Sequence, residues 1–117
     1  MKFLVLMAEE DHADRWNALD DEGQEAVFAR FRDFTRAVRE RGTLLEIAAL
    51  DRPSRALTVR QGDGTDRPVT AGPFAETVEQ LGGLWLVDLP DQDTAVAAAK
   101  LLPAEYAIEV RPLLDID

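Results

Sequence analysis

The sequence contains no cysteine, and only one histidine and one tyrosine are found among its 117 residues. Without thiols the chain forms no disulfide and offers no thiolate for nucleophilic catalysis or for a zinc site. A cysteine-free chain is typical of reducing compartments, so we expect a cytoplasmic protein. A single imidazole is weak evidence for a transition-metal site. No phosphate-binding glycine loop followed by lysine is present. We therefore predict no metal and no cofactor.

Positive charge is also scarce, because 13 Lys and Arg stand against 23 Asp and Glu, for a formal net charge of −10. Binding to DNA, RNA or an anionic membrane requires a basic face that neutralises phosphate. We therefore predict no nucleic-acid and no membrane partner. Five arginines cluster between residues 30 and 41, but their helical spacing and interleaved acids indicate a solvated helix face. No apolar run approaches the roughly 18 residues that a membrane span requires.

The composition is that of a globular chain, with 46% hydrophobic and 31% charged residues. This length supports one core, and we predict a single domain over residues 1–117. Periodicities of apolar residues predict the order β-α-β, a hairpin, then β-α-β. The first long helix is expected to begin at Asp21, whose carboxylate caps Gln24, and to end at a left-handed Gly42. The predicted fold is α+β and ferredoxin-like, with an additional β-hairpin.

Two predicted strands, residues 2–7 and 84–89, are apolar on both sides. Two helices cover only one face of a four-stranded sheet, and a half-solvated sheet should alternate apolar with polar residues. Leaving Phe3 or Trp85 in water would create a large apolar patch. We therefore predict that the second face packs against the same face of another copy, which gives a two-fold homodimer.

The block Val69-Thr-Ala-Gly-Pro-Phe-Ala-Glu-Thr-Val-Glu-Gln-Leu-Gly-Gly83 joins a Gly-Pro turn, two spaced carboxylates and a Gly-Gly pair directly before an apolar strand. It resembles the signature of the DGPF branch of the YCII-related proteins, with Ala71 where that branch usually carries Asp. The resemblance implies ferredoxin-like subunits that assemble as a dimeric α/β-barrel. It also implies that the His–Asp pair of other YCII-type proteins falls near Phe31 and Glu40, so that the imidazole is missing there.

Members of the DGPF branch have no settled activity, and the resemblance leaves three functions open. We favour a protein that binds a small molecule, with enzymatic activity undecided, in a cleft between the helices and the sheet under the loop of residues 70–80. The second is a non-catalytic regulatory or interaction module that acts with an extracytoplasmic-function sigma factor, since some members are associated with one. The third is a cofactor-independent lyase, isomerase or oxygenase of the dimeric α/β-barrel group.

Four side chains are our candidates for the ligand site, and no catalytic residue is assigned. A helical turn after the Gly-Pro turn would put Glu76 and Glu79 on one face, where they could act as acid and base or bind a cationic or hydroxylated ligand. Capping and surface hydrogen bonding are their alternative role. Phe74, held by the preceding Pro, either plugs the barrel or covers a ligand. His12 follows three carboxylates and is either a general acid or base or an exposed loop side chain.

Overall fold

The computed structural model of the chain describes residues 1–75 and 79–116. Along these residues the elements are β1 (Lys2–Glu10), α1 (His12–Ala18), α2 (Asp21–Arg41), β2 (Thr43–Ala49), β3 (Leu57–Val59), β4 (Val69–Ala71), β5 (Glu79–Asp88), α3 (Gln92–Ala99) and β6 (Ala107–Pro112). Short 3₁₀ turns at Pro53–Arg55 and Gly64–Asp66 lie on either side of β3. The strands, the two longer helices and the hairpin follow the predicted order.

The main sheet has four strands in the order β2-β5-β1-β6, and every neighbouring pair is antiparallel. Strands β3 and β4 form a separate two-stranded sheet. Mixed helices and strands with an antiparallel sheet confirm the α+β class that the sequence predicts.

The hydrophobic core lies between one face of this sheet and the two longer helices. Alternate residues of β1 are buried on that face, and Trp85 and Val87 of β5 join them. Phe34 of α2 and Ala95 of α3 cover the face from the helix side. The small side chains of α3 let its backbone approach the sheet closely. Phe3 and Trp85, which the sequence analysis used as evidence for a covered second face, are therefore buried under the helices instead.

The opposite face of the sheet, called here the open face, has no helix over it among the described residues. Its centre is formed by Leu4 and Leu6 of β1, which pair with Leu86 and Leu84 of β5. These leucines are half-buried, and Ala8 continues the row. The apolar patch on the second face thus consists of leucines rather than the expected aromatic rings.

Two predictions for the ends of α2, the identity of its N-terminal cap and the conformation of Gly42, are wrong in detail. The helix is capped by Asp20, whose carboxylate accepts a hydrogen bond from the Gly23 N–H at 2.7 Å, one residue before the predicted cap. Gly42 is extended, with φ −173°, rather than left-handed. A Cβ atom there would lie 1.9 Å from the Asp88 carbonyl oxygen, so the close approach of two chain segments, not backbone handedness, requires glycine.

The hairpin of β3 and β4 presents one apolar side to solvent. Its register pairs Leu57 with Ala71 and Val59 with Val69, which places these four side chains on the same side. Leu57 is 74% exposed. Within the described residues the hairpin strands bond to each other and not to the main sheet. No helix in residues 1–75 or 79–116 has the length and apolar content to cross a membrane.

Candidate functional site

A cavity of about 550 Å³, called here the loop cavity, lies beside the hairpin at one end of the sheet. Pro73–Ala75 and Glu79–Gln80, the nearer parts of the loop at residues 70–80, form part of its wall. Leu50, Pro53 and Leu81 give it a largely apolar lining, to which Arg52 and Arg55 add positive charge. Its described lining contains no residue of α2 or α3. The cavity therefore borders the 3₁₀ turn and the hairpin instead of lying between helices and sheet.

A smaller hollow of about 250 Å³ adjoins the loop cavity. The two share six lining residues: Leu50, Asp51, Arg52, Pro53, Gln80 and Leu81. The hollow adds His12 from the start of α1, together with Asp11 and Asp14. Three sequence candidates, Phe74, Glu79 and His12, thus line two adjoining spaces, whereas Glu76 lies outside the described residues.

The guanidinium of Arg60 joins the segment around Phe74 to the hairpin through hydrogen bonds. Arg60 donates to the Thr70 hydroxyl at 2.9 Å and to the Phe74 carbonyl oxygen at 3.1 Å. The Phe74 ring itself is 81% exposed, which leaves it able to cover a ligand at the cavity mouth. Glu79 is the first residue of strand β5, so the helical-turn argument that put it on one face with Glu76 does not hold for Glu79.

A cluster of ionisable side chains meets where β1 ends and α1 begins. Glu9 is 7% exposed and is the charged residue that is buried among those described. Its Oε2 lies 3.3 Å from Nδ1 of His12, and its Oε1 lies 3.4 Å from Nη1 of Arg15. His12 and Arg15 are three residues apart on α1, so both reach back to the same carboxylate. The Tyr106 ring packs beside the imidazole, with ring centroids 5.4 Å apart.

Burial raises the pKa of Tyr106 to about 12, and the negative charges of Glu9 and Glu105 contribute further. Both causes disfavour the phenolate, because a low-dielectric site next to carboxylates penalises another negative charge. The phenol therefore stays protonated and can act as a hydrogen-bond donor at neutral pH.

The imidazole of His12 lies directly over the backbone of Gly82. A Cβ atom at this position would be 2.8 Å from Cδ2 of His12 and 2.9 Å from Nε2. The Gly82-Gly83 pair of the sequence block at residues 69–83 thus has a physical role. Its first glycine leaves room for the imidazole ring of His12. Sequence reasoning named His12 and the three carboxylates before it, of which Glu9 makes the contact, but missed Gly82 and Tyr106.

A second cavity, of about 560 Å³, lies on the other side of this cluster, between α1, α2 and the turn before β6. Glu9, Arg15 and Tyr106 line it together with Trp16 and Arg30. The carboxylate, the imidazole and the phenol thus lie between two spaces, with His12 on the side of the loop cavity.

Comparison with known proteins confirms the family in the resemblance, the YCII-related proteins. The family described as the YCII-related domain matches residues 1–117. The chain belongs to the YCII-related family. It is also similar to an uncharacterized protein of Rhizobium meliloti (strain 1021), with 37% identity over 101 residues that cover 83% of this chain and 81% of that protein.

In this YCII-related protein, Phe31 and Glu40, the positions that the resemblance assigns to a His–Asp pair, both line one groove of about 720 Å³ beside α2. The Phe31 ring packs on Trp85, with centroids 5.8 Å apart. The groove therefore has no imidazole, and the histidine of this chain lies elsewhere, beside Glu9. Within residues 1–75 and 79–116 no group of three or more His, Asp or Glu is placed to hold a metal ion.

Proposed function

We propose that this YCII-related protein is a homodimer of the DGPF branch that binds a small molecule in the loop cavity. The observation that carries the proposal is that the loop cavity and the hollow at His12 share six lining residues, so that Phe74, Glu79 and His12 line two adjoining spaces. Volumes of a few hundred Å³, an apolar lining and a few polar groups are typical of small-molecule sites. The sequence block from residue 69 to 83 supports the DGPF branch, and the absence of cysteine supports a cytoplasmic location.

The lining favours a ligand with an apolar body and a polar end. Pro53, Pro73 and Phe74 supply apolar surface, whereas two arginines supply charge. Arg55 lies 3.3 Å from Asp51, and Arg52 lies 3.7 Å from Asp14. Because both ion pairs are exposed, each contributes little to stability. Either arginine can therefore leave its aspartate and bind a ligand group at a small cost in free energy.

A thermal-shift screen of the purified protein against a few hundred metabolites tests this proposal. A ligand at 100 times its Kd adds about 2.7 kcal/mol and should raise the midpoint by several degrees. We expect the shift to be lost in Glu76→Ala and in Phe74→Ala, whose ring is 81% exposed and contributes little to folding. Leu114→Ala is the matched control, because Leu114 is 86% exposed and lies outside the cavity lining. A library without hits, or hits unchanged in both Glu76→Ala and Phe74→Ala, would contradict the proposal.

The shape of the subunit supports the homodimer. Its accessible surface is 8307 Å², whereas a monomer of 13.0 kDa usually exposes about 6,300 Å². Principal extents of 48 × 44 × 18 Å fit two layers of secondary structure, and among the described residues no helix lies over the open face. The open face has leucines at its centre and charged residues such as Glu46 and Glu109 at its edges, the pattern of an interface core with a polar rim. The order β2-β5-β1-β6 is also that of a ferredoxin-like subunit, which supports pairing of two sheets into a dimeric α/β-barrel.

The regulatory alternative, a module that acts with an extracytoplasmic-function sigma factor, is favoured by two features. The net charge of −10 suits a basic protein partner, and Leu57, Val59 and Val69 on the apolar side of the hairpin are exposed. Co-expression with a sigma factor encoded beside it should then yield a complex on gel filtration. Separate elution of the two proteins at micromolar concentration would exclude this function for that pair.

The third candidate is a cofactor-independent lyase, isomerase or oxygenase. The contact between Glu9 and His12 favours it, since this pair supplies acid–base groups without a metal or cofactor. The pair is developed below.

A further inference from the structure

We propose that Glu9 and His12 form a proton-transfer pair that serves the loop cavity. The buried Glu9 carboxylate holds the imidazole through Nδ1–H, and Nε2 exchanges a proton with an acidic O–H or C–H group of the bound ligand. The ligand class is therefore a small phenol or enolisable carbonyl compound. This inference rests on the proposed ligand site, because His12 lines the hollow that adjoins the loop cavity.

The Glu9 carboxylate determines which nitrogen of the His12 imidazole carries the proton. A buried carboxylate is costly unless its oxygens are hydrogen-bonded or paired. Glu9 has two such partners, Nδ1 of His12 at 3.3 Å and Nη1 of Arg15 at 3.4 Å. An ionised carboxylate only accepts hydrogen bonds, so Nδ1 must be the donor and the neutral ring carries its lone pair on Nε2. Among the described residues Nε2 has no hydrogen-bond partner of its own.

Several residues hold the imidazole ring of His12 in its place. Gly82 leaves room for it, and the Tyr106 ring packs beside it. Asp11, the residue before His12, has φ 52°, in the left-handed region that non-glycine residues rarely occupy. Backbone strain of this kind clusters at functional sites. An exposed loop histidine without a role would need none of these features.

The proposed step is balanced without an oxidant or a cofactor. A ligand O–H or activated C–H bond breaks, its electron pair stays on the ligand as a phenolate or enolate, and the proton forms a new N–H bond at Nε2. The imidazolium is then stabilised by the Glu9 carboxylate, and return of the proton restores the neutral ring. Among the described residues, the other charged groups that line the hollow are Asp11, Asp14, Asp51 and Arg52. Arg52 can offset the charge of the ionised ligand.

The tautomer of His12 tests the geometry without a known ligand. Because the chain has one histidine, ¹⁵N-histidine labelling gives a single imidazole in long-range ¹H–¹⁵N spectra. We expect the neutral ring to carry its proton on Nδ1 in the native protein and in Glu10→Gln. This control removes the same charge from the adjacent, exposed position. Glu9→Gln should lose that preference. A native ring protonated on Nε2, or equal effects of the two variants, would overturn the pair.

Proton exchange tests the chemistry. Small β-keto esters and α-keto acids with bodies of different apolar size are incubated in D₂O, and loss of the acidic C–H signal is followed by NMR. We expect catalysed exchange for at least one compound, a fall of about 100-fold or more in His12→Gln, a smaller fall in Glu9→Gln and none in Glu10→Gln. Exchange no faster than in buffer across the panel, or unchanged exchange in His12→Gln, would overturn the step. Circular dichroism confirms that each variant folds.

The outcomes for the pair and for the ligand site are distinguishable. Thermal-shift hits without catalysed exchange would overturn the proton-transfer pair and leave ligand binding in place. Catalysed exchange that needs His12 but is unaffected by Phe74→Ala would support the pair and contradict the proposed position of the ligand.

Discussion

Glu9 continues the buried side of β1, where Phe3, Val5 and Met7 precede it at alternate positions. Strand alternation alone places this carboxylate on the helix-covered face, so its burial could be predicted from the sequence. Its partners could not all be found in this way. Arg15 is close along the chain, but Gly82 and Tyr106 reach the cluster through pairing of distant strands, and no local spacing indicates that they meet.

The alkaline titration of Tyr106 checks the cluster at the level of one group. Tyr106 is the chain's only tyrosine, so ultraviolet absorbance reports its ionisation alone. We expect a midpoint near the pKa of about 12 that burial and two carboxylates impose, against an ordinary value of 10.0. Glu9→Gln should lower the midpoint, and Glu10→Gln should not.

The raised pKa of Tyr106 also makes the stability of the folded protein depend on pH. The unfolded phenol ionises first, so the folded state loses stability as the pH rises from about 10 towards about 12. Titration of the native tyrosine at its ordinary value would contradict the burial described here.

The space that Gly82 leaves for His12 predicts a coupling between the two positions. Gly82→Ala should cost about 1–3 kcal/mol of unfolding free energy, because its Cβ would overlap the imidazole. In a His12→Ala background the cost should fall, and urea unfolding at one protein concentration measures the difference. Gly83→Ala is the control, since its Cβ meets the Ala48 carbonyl oxygen at 3.1 Å and should cost the same in either background.

Among the secondary-structure elements, the helices were the most predictable and the segment before β5 the least. The apolar stripe and flanking caps of α2 are local signals; the helix begins at Asp21 as predicted, and only its cap lies one residue earlier, at Asp20. Glu79 to Leu81 was expected to be helical but is extended, because it pairs with the end of β1. Tertiary pairing overrides local propensity at such a boundary.

The cap of α3 gives a prediction at the element scale. The Asp91 carboxylate accepts the Thr94 N–H at 2.7 Å. Hydrogen bonds from the Thr94 side chain and backbone lower the pKa of Asp91 below its ordinary value. A lowered folded-state pKa stabilises the protein above the ordinary pKa, and this stabilisation is lost as the pH falls below it.

Asp91→Ala should therefore reduce the thermal midpoint by a few degrees at neutral pH and by less in acid. Asp91→Asn keeps an acceptor for the helix N-terminus, so it should stay closer to the native midpoint at neutral pH. Equal losses for Asp91→Ala at both pH values would show that the ionised cap does not contribute.

For the whole molecule, the α+β class and the order of elements along the chain follow from sequence patterns, but the placement of the loop cavity does not. Apolar residues on both sides of β1 and β5 indicate a second packing face. The cavity depends on how residues 50–56 turn against the hairpin, and this segment has no periodicity to interpret.

A charge on the open face tests the homodimer. Light scattering of the native protein at micromolar concentration should give twice the subunit mass of 13.0 kDa. Leu6→Lys, at the centre of the face and opposite Leu84, should give the subunit mass, because a lysine cannot be buried there without a partner. Leu114→Lys, at an 86% exposed position, should remain dimeric. A native protein of subunit mass would refute the assembly.

The position of β1 in the sheet has a consequence for synthesis on the ribosome. Of the described strands β1 is synthesised first, yet its two neighbours are β5 and β6, the last two of them to emerge. At about 5–20 residues per second, β1 waits roughly 4–16 s for β5. During that time its leucines and its buried glutamate have no native partner strand. Nascent chains of this protein should therefore need protection by chaperones until nearly the whole sequence has left the exit tunnel.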